Sequence, residues 1–334
     1  MSAHSRDNTF QLNAHAQRVL SSIRFPEVPT GSCSLNQEGN LAGTASHEPG
    51  WIALEQPGSW GRDVLDGTAF DIEIASALKT KIAASGGYRL VLIRKPGRLG
   101  QLVQDGVRRV FLATTEGAQQ VLYTFCVKGP ADLLDLPLDN PAKIPFAERL
   151  DSQVITLLCA HSKRDQCCAL RGRPIARFLA EVRPDNTAWE CSHLSGHRYA
   201  PTGILLPSGY TYGRWNAHSA LAATICLEET GVPYIANLRG RSTLTPIQQA
   251  AEVAVRELLL ECGEEPLAQE LTFAPVPAGD TNQHPRQERT LVGHRDGRSW
   301  VVTCETRATS PVKASCGKPE KPAKSVEVLA VEEV

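Results

Sequence analysis

Residues 152–182 read SQVITLLCAHSKRDQCCALRGRPIARFLAEV, and how they are parsed decides the fold. SQVITLLC is apolar with β-branched residues and reads as a buried strand. RPIARFLAEV spaces Ile175, Phe178, Leu179 and Val182 as one helical face behind a proline, which predicts a helix. The segment from Cys159 to Cys168 is then the loop between them. A buried strand leading through a loop into an amphipathic helix is a unit of an α/β protein.

The same pattern continues downstream. GILLPSGYTYGRW, residues 203–215, reads as a strand and turn; a helix is expected over roughly 215–227, and GVPYIANLRG, residues 231–240, as a further strand. TPIQQAAEVAVRELLLECG, residues 245–263, is a well-marked helix in which Thr245 caps, Pro246 sits in the first turn and Gly263 stops it. This order fits a thioredoxin-like layer arrangement. Upstream, Trp51–Leu54 is apolar, and Asp71 caps a helix with Ile72, Ala75, Leu78 and Ile82 on one face, ended by Gly86-Gly87. YRLVLIRK, RRVFLAT and QQVLYTFCV follow as three strands.

The stretch DLLDLPLDNPAKIPFAERLD, rich in Pro and Asp, marks a boundary. The expected fold class is therefore α/β, with two α/β domains, the second thioredoxin-like. Residues 1–30 form a partly ordered segment, 31–140 the first domain, 150–265 the thioredoxin-like domain, and 266–334 a C-terminal hairpin and tail. The hairpin is RTLVGHRDGRSWVVTCET, and the tail ends on an edge strand.

Totals exclude several function classes. The chain has 334 residues, 42% of them hydrophobic and 21% charged, with a net charge of −1; no electrostatic grip on nucleic acid is expected. No stretch has the length of a membrane span, and the N-terminus lacks the pattern of a secretory signal, so a cytoplasmic location is expected. There is no P-loop, dinucleotide fingerprint, nucleophile elbow or H-E-x-x-H zinc motif. Ten cysteines in a reducing compartment point to metal or redox chemistry rather than disulfides.

Cys159 and Cys168 stand eight residues apart, and CSHLSGHRYAP then supplies His193 and His197. Two thiolates and two imidazoles complete a four-ligand set. Zinc favours a shorter C-x(2–4)-C spacing, whereas a two-iron cluster tolerates a longer one. With Cys, Cys on one iron and His, His on the other, neutral imidazoles would raise the reduction potential. A proton on His193 or His197 could then accompany the electron if that ring meets water. Zinc and iron–sulfur both remain open on spacing alone.

CAHSKRDQCCALRGRP, WECSHLSGHRYAPTGILLPSGYTYGRW and LRGRSTLTPIQQAAE resemble the sucrase/ferredoxin-like family, and GTASHEPGWIALEQPGSWGRDVL extends the resemblance upstream. The family pattern of Cys, eight residues, Cys, then His-x-Gly-Gly-His-Arg falls on Cys159, Cys168, His193, His197 and Arg198, with Ser195 replacing the first glycine. The resemblance implies a thioredoxin-like ferredoxin domain with a [2Fe-2S] cluster on Cys159, Cys168, His193 and His197. It implies electron transfer with unidentified protein donors and acceptors; charge and hydropathy predict no nucleic-acid or membrane partner, and turnover of a small molecule stays open. Two other readings use the same region: a zinc-stabilised interaction module on those four residues, or a cluster-free thiol oxidoreductase on Cys167 or Cys168.

The remaining residues have milder expectations. Cys167 is read as structural or an alternative ligand, Cys191 as a small buried residue or spare ligand, and Cys126, Cys226 and Cys262 as core. Cys33 and Cys304 have no assignment, and Cys316 in SCGK reads as an exposed reactive thiol or a loop residue without function. His161 is either a substitute ligand or bonded to loop backbone. Lys163, Arg164 and Arg198 form a rim that is solvated or docks an acidic partner. Sugar hydrolysis would need two placed carboxylates, and Glu190, Asp185 and Asp165 are merely nearby. His4, His15, His47, His218, His284 and His294 show no pairing pattern.

Overall fold

The computed structural model describes residues 10–35, 39–102, 106–115, 120–185, 187–276 and 286–334; the start of the expected N-terminal segment, His4 and His284 lie outside them. The first half runs α1 (Ala14–Ser22), β1 (Gly50–Glu55), α2 (Ile72–Ala84), β2 (Arg89–Arg94), β3 (Arg108–Thr114), β4 (Val121–Val127) and β5 (Glu148–Leu150). Then come β6 (Ile155–Cys159), α3 (Gln166–Val182), β7 (Ala188–Cys191), β8 (Gly203–Leu206), β9 (Tyr210–Tyr212), α4 (Ala217–Thr230), β10 (Leu238–Arg241) and α5 (Pro246–Glu261). The chain closes with β11 (Leu271–Pro275), β12 (Gln287–His294), β13 (Ser299–Val312) and β14 (Lys321–Glu333).

One mixed sheet takes ten strands in the order β10-β9-β8-β6-β7-β2-β1-β3-β4-β5, and β11 to β14 make a second, antiparallel sheet of four. The two halves of the large sheet repeat one arrangement. In the first, β1 lies parallel to β2 and antiparallel to β3, which is antiparallel to β4. In the second, β6 lies parallel to β7 and antiparallel to β8, which is antiparallel to β9. The equivalent strands β2 and β7 meet antiparallel at the seam, the pairing that a two-fold relation between the halves produces. Arg94 and Glu190 face each other there and form an ion pair at 2.8 Å, both side chains nearly fully buried.

Strand alternation sorts the core onto two faces. Ile52 and Leu54 of β1 pack with Leu78 and Ile82 of α2, whereas Trp51 and Ala53 face the other way. That second face continues unbroken across the seam through Val91, Ile93, Trp189, Cys191, Ile155, Leu157 and Cys159. On β6 the intervening Leu158 joins Ile175, Phe178 and Leu179 of α3, each of which contributes about 1.5–3 kcal/mol by leaving water. The helix α5 lays Ile247, Ala250, Ala251, Val255 and Leu259 on the four-stranded sheet, together with Val292 and Trp300.

Several expectations change in detail. Asp71 does cap α2, but Ile72 is exposed at its first turn while Ala75, Leu78 and Ile82 are buried. The helix α3 begins at Gln166, before the proline, because the Asp165 carboxylate accepts from the Cys167 N–H and caps it; Pro174 lies inside the helix. The ten-residue cysteine segment thus ends β6 with Cys159 and begins α3 with its last three residues, and only the residues between them are loop. Cys126 is exposed, since Phe125 and Val127 take the inward positions of β4, and Cys262 is exposed as the residue capping the end of α5. Of GVPYIANLRG, the part from Leu238 onward is strand. The expected hairpin is β12–β13, and the tail pairs with β13 as β14.

Candidate functional site

Cys159 ends β6, where its N–H donates to the Thr202 carbonyl at 2.9 Å, and its side chain is fully buried. Cys168 lies in the first turn of α3, 1% exposed. The two thiols are electrostatically coupled: the Cys168 thiol pulls Cys159 down to about 7, against burial and with help from the His161 and Leu194 N–H groups, while Cys168 is pushed up by Cys159 and by burial.

The segment from His193 to His197 closes over them. Ser195 and Gly196 both take left-handed φ, +67° and +76°, which turns the chain so that the imidazoles stack with centroids 4.1 Å apart. His197 Nδ1 stands 3.8 Å from Cys168 Sγ. Burial pushes the His193 imidazole down to about 2, aided by the charges of His197 and Arg89, and pushes His197 down to about 4 with Asp165 opposing. Both rings are neutral at pH 7, the form in which histidine binds a metal.

Two arginines from outside the motif hold this loop. Arg89 donates to the His193 carbonyl at 2.7 Å, to Ser195 Oγ at 3.2 Å and to Glu48 Oε1 at 2.8 Å. Arg239, 1% exposed, donates to the Ser195 carbonyl at 3.1 Å and to Thr44. Left-handed φ costs a non-glycine residue about 1–2 kcal/mol, and at Ser195 the Arg89 hydrogen bond to its hydroxyl offsets part of that cost. The left-handed φ at Gly196 favours glycine, and a Cβ there would lie 2.5 Å from Arg239 Nη2 and push that guanidinium from the loop.

The surrounding residues separate by role. His161 bonds through Nε2 to the Gly61 carbonyl at 2.6 Å and sits edge-on to Trp60, so its backbone partner belongs to the loop after β1. Arg198 is buried over the Tyr199 ring, 4.3 Å to its centroid, and is no part of a rim. Arg62, Asp63, Arg89, His161, Arg164 and His193 line a cleft of about 250 Å³ beside the loop. His193 therefore faces solvent space, while His197 is 9% exposed. The acids weighed for hydrolysis are each engaged: Glu190 by Arg94, Asp185 by Arg183 and Asp165 by the start of α3.

A second group of thiols stands beside the first. Cys33, Asp165, Cys167 and Cys316 bring their ligand atoms within 4.8 Å of one another, a group able to hold a metal ion. Adjacent residues of a helix point about 100° apart, so the Cys167–Cys168 doublet divides between the two groups. Sequence reasoning gave neither Cys33 nor Cys316 a ligand role and missed Arg89 and Arg239.

Fold and site define a mixed α/β protein with a buried cysteine–aspartate group that can bind metal and a cysteine–histidine cluster alongside it. A family model described as Sucrase/ferredoxin-like matches residues 41–230, more than half of the chain, and the chain belongs to that family. No curated protein and no solved structure matches it. Among the described residues, no helix is long and apolar enough to cross a membrane.

Proposed function

We propose that the protein carries a [2Fe-2S] cluster on Cys159, Cys168, His193 and His197 and serves in electron transfer, with protein donors and acceptors as partners. The observation that carries this is the approach of His197 Nδ1 to Cys168 Sγ at 3.8 Å, with His193 stacked on His197 and the buried Cys159 thiol electrostatically coupled to Cys168. The donor set fits the group: two thiols on β6 and α3, and two imidazoles on a loop held by Arg89 and Arg239. Such a cluster, when bound, supplies one-electron chemistry.

The single-zinc reading of the same four residues has weaker support. Among the described residues, the group that closes within single-ion range is the one around Cys33, whereas the wider Cys159 set suits a centre of two irons. A thiol oxidoreductase would need an accessible sulfur, and Cys167 and Cys168 are 0% and 1% exposed. The order β7-β6-β8-β9, with β6 and β7 parallel and α3 between them in the chain, supports the thioredoxin-like reading of the second half.

The chain's own residues have distinct tasks in this reading. Arg89 and Arg239 hold the histidine loop rigid against β2 and β10. His193, which lines the cleft, is the ring able to exchange a proton with solvent. Arg62 and Arg164 at the cleft favour an acidic partner surface, although Arg164 also pairs with Asp63 at 3.6 Å. Ten free cysteines support a cytoplasmic location.

The test is metal and sulfide analysis with visible spectroscopy on anaerobically purified protein. A red-brown protein with iron and labile sulfide in equal amounts is expected, and a colourless one overturns the reading. His197→Cys should retain iron but lower the midpoint potential, because a thiolate adds negative charge where a neutral imidazole stood. A potential equal to that of the wild type would remove His197 from the ligand set.

A further inference from the structure

We propose that Cys33, Cys167, Cys316 and Asp165 hold a single structural zinc ion that fastens the stretch between α1 and β1 and the β13–β14 turn to the start of α3. This proposal is independent of the cluster reading. It also extends beyond the family match, because Cys33 and Cys316 lie outside residues 41–230.

The spacing carries the argument. Zinc–thiolate bonds at tetrahedral angles put two sulfurs about 3.8 Å apart and a carboxylate oxygen about 3.5 Å from a sulfur. The three Sγ atoms are separated by 3.8 Å (Cys33–Cys167), 3.6 Å (Cys33–Cys316) and 3.2 Å (Cys167–Cys316). The Asp165 carboxylate oxygens stand 3.5 and 3.6 Å from Cys33 Sγ. A two-iron cluster would bring only the pair of ligands on one iron this close and would hold the other pair further off, whereas here all three sulfurs are mutually close. Tetrahedral coordination dominated by sulfur selects zinc among abundant divalent ions.

Each ligand comes with support of the kind metal sites use to orient their donors. Ser315 Oγ and the Cys316 N–H donate to Asp165 Oδ2 at 2.9 and 2.7 Å, and the Cys167 N–H donates to Oδ1 at 2.9 Å. The Cys33 N–H points to Cys316 Sγ at 3.4 Å. Cys33 and Cys167 are fully buried and Asp165 is 3% exposed. Two buried thiols and one half-buried thiol, from remote parts of the chain, gain little from packing together as thiols. As thiolates around a dication they close three segments at one point, with the thiol protons released on binding.

The experiment uses the full-length protein purified without chelator. Elemental analysis should give one zinc per chain in addition to any iron. Cys33→Ser and Cys316→Ser should each lose the zinc while leaving the iron-to-sulfide ratio and visible spectrum unchanged, which separates this site from the cluster. Should the variants fail to fold, chelator-stripped wild-type protein titrated with Co²⁺ should develop the d–d bands of a tetrahedral thiolate site, displaced by zinc. No zinc and no Co²⁺ bands, zinc retained by both serine variants, or a Cys167–Cys316 disulfide in non-reducing peptide mapping would each overturn the assignment.

Discussion

Replacing Glu252 with alanine is expected to destabilise the protein by about 3–5 kcal/mol, because it strands two buried arginines. Glu252 is fully buried on α5 and accepts from Arg241 at 2.9 Å, from Arg256 at 3.2 Å and from the Tyr210 hydroxyl at 2.8 Å. Arg241 belongs to β10 and Tyr210 to β9, so the carboxylate ties the helix beneath the small sheet to the edge of the large one. Burial alone would push this carboxyl up, but the two guanidinium charges and the Tyr210 hydroxyl outweigh it and hold it below the ordinary glutamate range. The sign of the pH dependence follows. A carboxyl lowered on folding contributes stability that is fully present above its unfolded value of about 4.3 and is lost as pH falls through the folded one. Urea unfolding at pH 7 and at pH 3 should therefore show wild type losing stability on acidification more steeply than Glu252→Gln. Parallel acid dependence in the two proteins would mean the carboxylate charge plays no part.

What could be read from the sequence depended on how local the cause was. The strands β2, β3, β4 and β6 and the helices α2 and α5 show their periodicity and caps within a few residues, and they form where expected. The start of α3 was hidden because Pro174 imitates a first-turn proline, while the actual cap, Asp165, sits in a charged stretch that reads as loop. The seam between β2 and β7 rests on a short register of Ile93 with Cys191 and Arg94 with Glu190, which no pattern within either strand encodes. The same distinction governs the site. Cys159, Cys168, His193 and His197 announce themselves by spacing along one stretch of chain. Cys33 and Cys316 stand 134 and 149 positions from Cys167, so their convergence exists only once α3, the stretch between α1 and β1 and the last hairpin have packed. Arg89 and Arg239 reach backbone carbonyls, which carry no residue identity for a motif to record.

Gly172→Ala is expected to separate Cys168 from Cys159 and to lower both stability and iron content. Gly172 lies one turn after Cys168 on α3, on the face that meets the end of β6. A Cβ there would stand 2.1 Å from the Cys159 carbonyl oxygen and 3.2 Å from its carbon. These are backbone atoms of a central strand, so no change of rotamer relieves the overlap, and the helix itself must withdraw. Alanine is the better helix former by about 1 kcal/mol, which works against the effect; overpacking costs of about 1–3 kcal/mol, and occasionally more, exceed it. Cys168 moves with the helix while Cys159 stays with the sheet, so the pair loses the separation that the proposed cluster requires of its two thiolates. Gly129→Ala is the control, since a Cβ there meets nothing within 4 Å. Thermal unfolding and iron analysis of both variants decide the matter. A Gly172→Ala protein that melts with the wild type and retains its iron would show that the helix–strand contact does not set the spacing of Cys159 and Cys168.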